Sequence, residues 1–171
     1  KKDEKKYNQQ YFERIKEVIA ERSGHNVLMG ISDENETYIT FQMTYKEAIN
    51  ALEIAHIRKK ECPVVWNEKI GYWKLLKDMS QQQQCKEFVS KKIDALIQYD
   101  KENESDLIET LEALVNHLGA RNITATSLYL HRNTLMYRIK KIENLTGYDL
   151  SDPESILELS LALRLNKFMN H

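Results

Sequence analysis

The stretch that decides the fold is residues 122–145, which read NITATSLYLHRNTLMYRIKKIENL. Its apolar spacing predicts a short helix over 122–129, a break at residues 130–131 and a longer helix over 132–145. At about 100° per residue, the apolar residues of the longer helix fall on one side and should pack against the short helix. These residues are Leu135, Ile139 and Ile142, facing Ala125 and Leu128. A short helix, a tight turn and a longer helix form a helix-turn-helix.

Charge is unevenly distributed along the chain. The 171 residues carry 25 Lys and Arg against 26 Asp and Glu, a net charge of −1 that argues against general attraction to nucleic acid. Residues 113–142, however, contain no Asp or Glu. The cations of this stretch are Arg121, Arg132, Arg138, Lys140 and Lys141. The helix pair is therefore predicted to be a local electropositive surface.

The outward side of the longer helix carries donors, amides and hydroxyls. Arg bonds guanine and Asn bonds adenine bidentately, Thr contacts phosphate or a thymine methyl, and Lys neutralises phosphates. Because the N-terminus of such a helix enters the major groove, Arg132, Asn133 and Thr134 are expected nearest the bases. The full set of candidate DNA-binding residues is Asn122, Thr124, His131, Arg132, Asn133, Thr134, Tyr137, Arg138, Lys140 and Lys141. Asn122 is also expected to cap the short helix. The alternative is a basic, solvated helix that binds nothing.

The chain as a whole is predicted to be mainly helical, because it has only 5 Gly and 2 Pro. Residues 1–80 alternate helix and strand, with short strands at 27–31 and 63–66, which indicates an α+β partial domain. Two strands are too few for a stable sheet, so the rest is expected upstream or from a partner chain. Residues 81–104 are interpreted as a connecting helix and residues 105–171 as an all-α domain.

Helix starts and the last helix give further expectations for the all-α part. Ser105 or Asp106 is expected to cap the next helix, and Asp152 with Pro153 to begin the last one. The last helix carries apolar residues around much of its circumference. We therefore expect it to be central in the domain, shared with a second subunit, or both.

Signs of catalysis, metal binding and membrane insertion are weak. The five His are scattered, Cys62 and Cys85 fit no metal spacing, and no nucleophile motif is present. We therefore predict no catalytic residue, no cofactor and no metal site. No apolar run reaches the ~18 residues of a membrane span, so the chain is expected to be cytoplasmic. It begins without Met and is interpreted as a fragment.

The same residues resemble the C-terminal signature of the PucR/CdaR family of bacterial transcriptional regulators. The resemblance covers about residues 99–166 and centres on the His-Arg-Asn-Thr-Leu run at 131–135. It also rests on Thr124-Ala125, residues 128–130, Tyr137-Arg138-Ile139, Lys141-Ile142, residues 145–147, Asp149-Leu150 and Asp152-Pro153. The segment resembles the Fis-type helix pair more loosely, and Tyr129 stands where that pair usually has Gly.

The first 79 residues are similar to the latter part of the GGDEF-like middle domain of this family, without the Gly-Gly-Asp/Glu-Glu-Phe motif. The resemblance implies a scaffold without cyclase chemistry. It also implies a regulator that binds double-stranded DNA as a homodimer, and a small-molecule effector sensed by a domain missing from this chain.

Two other function classes stay open at this point. In the first, the chain is a ligand-sensing or protein-interaction module whose helix pair serves dimerisation. Apolar dimerisation responds little to salt, whereas the affinity for DNA falls steeply as the salt concentration rises. A nucleotide-processing enzyme is less favoured, because residues 1–79 lack paired carboxylates around a Gly-rich loop.

Overall fold

The computed structural model describes residues 2–33, 41–58 and 63–170, with side chains from residue 9 onward. The chain divides into two compact units, Lys1–Leu75 and Leu76–His171. The prediction of a mainly helical chain with a small α+β part is confirmed. The strands predicted over 27–31 and 63–66 are observed over Met29–Ile31 and Val64–Trp66. Cys62 lies outside the described residues.

The first unit is a two-stranded parallel sheet with helices around it. It contains α1 (Lys2–Ser23), β1 (Met29–Ile31), α2 (Phe41–Ile57), β2 (Val64–Trp66) and a 3-10 turn at Asn67–Lys69. Met29 pairs with Val64 and Ile31 with Trp66. α1 contacts β2 through Phe12, whose ring meets the Trp66 ring edge-on at 5.3 Å. The next helix, α3 (Tyr72–Ser80), crosses the division between the units.

Gly30 lets β1 lie directly against α2. A Cβ atom on Gly30 would lie 2.2 Å from the carbonyl oxygen of Ala48 and 2.3 Å from the amide nitrogen of Leu52. Both are backbone atoms of α2, so no side-chain rotation relieves the overlap. The packing of this unit therefore requires glycine at the centre of β1.

The second unit is all helical. After α3 it contains α4 (Gln83–Asn103), α5 (Leu107–Asn116), α6 (Arg121–Ser127), α7 (Arg132–Thr146) and α8 (Pro153–Met169). Its core combines buried side chains from α4, α5, α7 and α8: Val89, Ile93, Leu96, Leu111, Leu114, Leu135, Ile139, Ile142, Leu159 and Leu163. α4, interpreted from the sequence as a connecting helix, packs against both α7 and α8 here.

Two carboxylates cap helices in this unit. Asp152 accepts a hydrogen bond from the Ser155 amide at 2.9 Å and Pro153 begins α8, as predicted. The hydrogen bonds from Ser155 hold the pKa of Asp152 below its usual value. The expected caps of α5 are wrong, because Ser105 and Asp106 make no side-chain cap to its amides.

The carboxylate that caps α5 belongs to Asp100, in the last turn of α4. It accepts from the amides of Leu107 and Ile108, both at 2.8 Å, and from the Ser105 hydroxyl at 2.5 Å. A charged acceptor on two otherwise unpaired helical amides is among the stronger helix caps. The cap therefore fixes the start of α5 to the end of α4.

A half-buried lysine joins α4 to α8. Lys92 is paired with Glu158, donates to the Tyr148 hydroxyl, and lies 4.3 Å from the centre of the Tyr148 ring. Burial lowers the pKa of Lys92, but hydrogen bonds to Glu158 and Tyr148 outweigh it and raise the pKa above its ordinary value. The lysine is therefore held charged within the packing of α4 against α8.

α8 is central in the unit on one side and exposed on the other. Leu159, Ala162, Leu163 and Leu165 are buried. Leu157 and Leu161 remain 59% and 38% exposed. The expectation of a central helix is confirmed. The expected contact of α8 with a second subunit stays a prediction, and Leu157 and Leu161 are the exposed residues that such a contact would cover.

Candidate nucleic-acid interface

α6 and α7 form the predicted helix-turn-helix, joined by residues 128–131. The turn bends at Tyr129, which has a φ of 53° and a side chain 96% exposed. The amides of Tyr129 and Leu130 donate to the carbonyls of Thr126 and Ala125 at 3.2 and 2.9 Å. Tyr129 thus adopts the left-handed conformation that glycine usually supplies at a helix end.

Replacing Tyr129 with glycine is expected to stabilise the chain. A non-glycine residue in the left-handed region costs about 1–2 kcal/mol, partly offset by the extra freedom of glycine in the unfolded chain. We expect Tyr129→Gly to raise the free energy of unfolding by up to about 1 kcal/mol in urea titrations followed by circular dichroism. Tyr137→Gly is the matched control, because it places glycine inside α7 and should lower the same quantity by about 1 kcal/mol. Equal losses in both variants would show that the turn does not strain Tyr129.

The inward side of α7 is as the sequence predicts. Leu135, Ile139 and Ile142 are at most 1% exposed, and Ala125 of α6 is also buried. These contacts fix the rotation of α7 about its axis, which decides the side chains that face outward.

Five predicted site residues lie together on the exposed side of α7: Arg132, Asn133, Thr134, Tyr137 and Lys140. His131 is also exposed and precedes the helix as its N-cap residue. Its Nδ1 accepts a hydrogen bond from the Asn133 amide at 3.2 Å, so a neutral His131 ring carries its proton on Nε2. The first turn of α7 is thus ordered by its own cap while its side chains remain open to a ligand.

Two predicted residues of α6 have different roles from those expected. Thr124 is fully buried, and its hydroxyl donates to the Ala120 carbonyl at 3.0 Å. It is a core residue, so its assignment to DNA contact is wrong for this arrangement. Asn122 is exposed, but it lies within the first turn of α6, and Ala120 occupies the N-cap position. The expected cap by Asn122 is therefore wrong.

Arg138 and Lys141 are partly engaged by the protein itself. Arg138 donates to the Asp106 carboxylate and to the Thr110 hydroxyl, both at 3.0 Å, which ties α7 to the start of α5. The Nζ atom of Lys141 lies 4.4 Å from the centre of the Tyr99 ring on α4. Asp106 lies outside the acid-free stretch 113–142, so the charge pattern of that stretch did not predict the ion pair between Asp106 and Arg138.

Two features of the described residues bear on other functions. No group of three or more His, Cys, Asp or Glu side chains in this part of the chain is placed to hold a metal ion. None of the helices described is both long and apolar enough to cross a membrane.

Comparison with known proteins agrees with this geometry. Residues 107–165 match the PucR C-terminal helix-turn-helix domain. The chain is 30% identical over 142 residues to the proline-responsive transcriptional activator PutR of Bacillus subtilis, covering 82% of this chain and 34% of PutR. It is 28% identical over 160 residues to the purine catabolism regulatory protein of the same organism, covering 94% of this chain and 30% of that protein.

A third relative matches over a shorter stretch. The carbohydrate diacid regulator of Escherichia coli is 39% identical over 66 residues, covering 39% of this chain and 17% of that protein. The chain thus spans about a third of the length of the first two relatives. Residues 107–165 are a PucR-type helix-turn-helix domain, and the chain is similar to PucR/CdaR-type transcriptional regulators.

Proposed function

We propose that this chain is the DNA-binding part of a transcriptional regulator that reads the major groove with the first turn of α7, as a homodimer. The observation that carries the proposal is the exposed group Arg132, Asn133 and Thr134, held at the start of α7 by the His131 cap. The opposite side of the same helix is locked in the core, so these side chains have a fixed direction.

Each exposed residue has a role that fits its chemistry. Arg132 and Asn133 offer the bidentate donors that recognise guanine and adenine, and Thr134 offers a hydroxyl and a methyl group. Lys140, Tyr137 and the His131 Nε2–H group suit phosphate contacts that set the register. Asn122 on α6 is exposed and adds an amide for the backbone. Arg138 positions α7 through Asp106 and Thr110, rather than facing the bases.

The homodimer follows from how few cations face outward. Arg138 is paired with Asp106, and Lys141 is partly buried over Tyr99, which leaves Arg132 and Lys140 as the exposed cations of α7. So few phosphate contacts give weak binding, because the affinity grows with the number of phosphates neutralised. Two copies on half-sites about one helical turn apart double the contacts.

We also infer that the first unit is a GGDEF-like scaffold without cyclase chemistry, since its β1–α2–β2 order forms a parallel pair without the family motif. PutR is described as proline-responsive. By analogy, this regulator responds to a small-molecule effector sensed by a domain outside these 171 residues, and acts in the cytoplasm.

The proposed function is tested by selection on random duplex DNA with the full chain, followed by binding to the selected duplex over a range of salt. Selection should enrich two related half-sites about 10 base pairs apart. Lys140→Ala should weaken binding to all sequences alike and reduce the slope of log affinity against log salt by about one. The matched control is Lys101→Ala, an exposed lysine of α4, which should leave the slope unchanged. Absence of any enriched sequence, together with a flat salt dependence, would contradict the proposal.

A further inference from the structure

The turn of the helix-turn-helix carries a large side chain that the domain itself does not use. The Tyr129 side chain is 96% exposed. Within residues 2–33, 41–58 and 63–170, its hydroxyl makes no hydrogen bond. The packing of the second unit therefore does not account for a tyrosine at this position.

The backbone of Tyr129 gives a second, independent observation. Its φ of 53° lies in the left-handed region, which glycine adopts without strain and tyrosine does not. The amides of Tyr129 and Leu130 both donate to carbonyls of α6, so the turn itself imposes this conformation. Glycine would make the turn more stable, and no internal hydrogen bond of the tyrosine offsets the strain. A strained residue with an unused, exposed side chain indicates a role in binding.

Tyr129 lies in the part of the helix pair that a bound duplex would approach. When a helix-turn-helix binds DNA, the first helix crosses the backbone and the N-terminus of the second enters the major groove. The turn that joins the two helices therefore lies beside the phosphates at the edge of the groove. Tyr129 precedes the exposed residues 131–134 by two positions, so it extends the same exposed segment toward α6.

The charge around the turn suits a phosphate. Residues 113–142 contain no Asp or Glu, so no carboxylate of this stretch competes for the hydroxyl or repels an anion. His131 and Arg132, which follow the turn, are exposed as well. A phenol hydroxyl is an O–H donor, and tyrosine is among the side chains that bond DNA phosphates.

We propose that the Tyr129 hydroxyl donates a hydrogen bond to a phosphate of the DNA backbone. The inference rests on the proposed function and adds a contact from the turn to those made by α7. Because the phenol is uncharged, it neutralises no phosphate and releases no counterion. The contact therefore strengthens binding to every sequence without adding to the salt dependence. In this it differs from Lys140, whose charge contributes to both.

Removing the hydroxyl alone is the main test. Tyr129→Phe keeps the ring and should weaken binding of the full chain to the selected duplex and to a duplex of scrambled sequence about tenfold each, because a hydrogen bond to a charged group is lost. The slope of log affinity against log salt should stay as in the wild type. The matched control is Tyr45→Phe, an exposed tyrosine of the first unit, which should leave the affinity for DNA unchanged.

Tyr129→Gly separates the binding role from a structural one. It should raise the free energy of unfolding, for the reason given above for the turn, and bind DNA about as weakly as Tyr129→Phe. A tyrosine that served only the fold would not combine a more stable variant with a lower affinity for DNA.

The acceptor is identified with duplexes in which one phosphate at a time is replaced by an uncharged methylphosphonate. At one position, the tenfold difference in affinity between the wild type and Tyr129→Phe should disappear, because the hydroxyl has lost its charged acceptor. At the other positions the difference should persist.

Three outcomes overturn the inference: wild-type affinity in Tyr129→Phe, a changed ratio of selected to scrambled affinity in Tyr129→Phe, or a difference that persists at every methylphosphonate position. The second outcome would place the hydroxyl at a base. A wild-type chain that binds neither duplex contradicts the proposed function, and this inference with it. Sequence-selective, salt-dependent binding by the wild type together with an unaffected Tyr129→Phe contradicts this inference alone.

Discussion

Replacing Arg132 or Asn133 with alanine is expected to remove most of the sequence preference of this protein for DNA while leaving the fold intact. Both side chains are exposed in the first turn of α7 and contribute nothing to its buried side. A bidentate contact to a base discriminates against the wrong base by about 1–3 kcal/mol. In each variant, the affinity for the selected duplex relative to a duplex of scrambled sequence should therefore fall roughly 5- to 150-fold. Competition binding with the two duplexes measures this ratio directly.

Two controls separate base reading from general attraction. Arg132→Lys keeps the charge but loses the planar pair of donors, so it should lose specificity and keep the salt dependence. Lys140→Ala should weaken binding to the selected duplex and to the scrambled duplex by the same factor. An unchanged affinity ratio in both Arg132→Ala and Asn133→Ala would place the reading surface elsewhere on the domain.

Replacing Gly30 with alanine is expected to disrupt the first unit and spare the second. The added Cβ atom overlaps backbone atoms of Ala48 and Leu52 in α2, so β1 and α2 must separate. Overpacking costs about 1–3 kcal/mol when side chains can adjust, and a backbone overlap is expected at or above the upper end of that range. Hydrogen exchange should show faster exchange in β1 and α2 than in the wild type.

The control for Gly30 is Gly24→Ala. Gly24 has a φ of 68°, but nothing lies within 4 Å of the position of its Cβ, so only the backbone strain of about 1 kcal/mol applies. Amides of α7 and α8 should exchange equally slowly in both variants. Equal protection of β1 in Gly30→Ala and Gly24→Ala would contradict the close packing of β1 on α2.

Local patterns made much of the second unit predictable. The order and spacing of α5 to α8, the inward side of α7 and the Asp152 cap each depend on residues within a few positions of one another. The turn was predicted to exist, but its position was displaced. The spacing predicts the short helix through residue 129 and the break at 130–131, whereas α6 ends at Ser127 and the chain bends at Tyr129, in the conformation usual for glycine.

Contacts between distant residues were not predictable in the same way. Arg138 meets Asp106, 32 residues earlier, and Lys92 meets Glu158, 66 residues later. Thr124 of α6 was among the candidate DNA-binding residues, but its hydroxyl donates to the Ala120 carbonyl one turn earlier, which permits burial. Such pairings depend on the packing of whole helices, and periodicity along one helix carries no information about them.

The Asp100 carboxylate has a mechanical consequence for the rest of the second unit. It joins the last turn of α4 to the first turn of α5, and Asp106, which immediately precedes α5, holds Arg138 of α7. A shift or rotation at the end of α4 therefore displaces the segment on which α7 is anchored, unless these polar contacts break first. Within the second unit, the orientation of α7 therefore depends on the position of the end of α4.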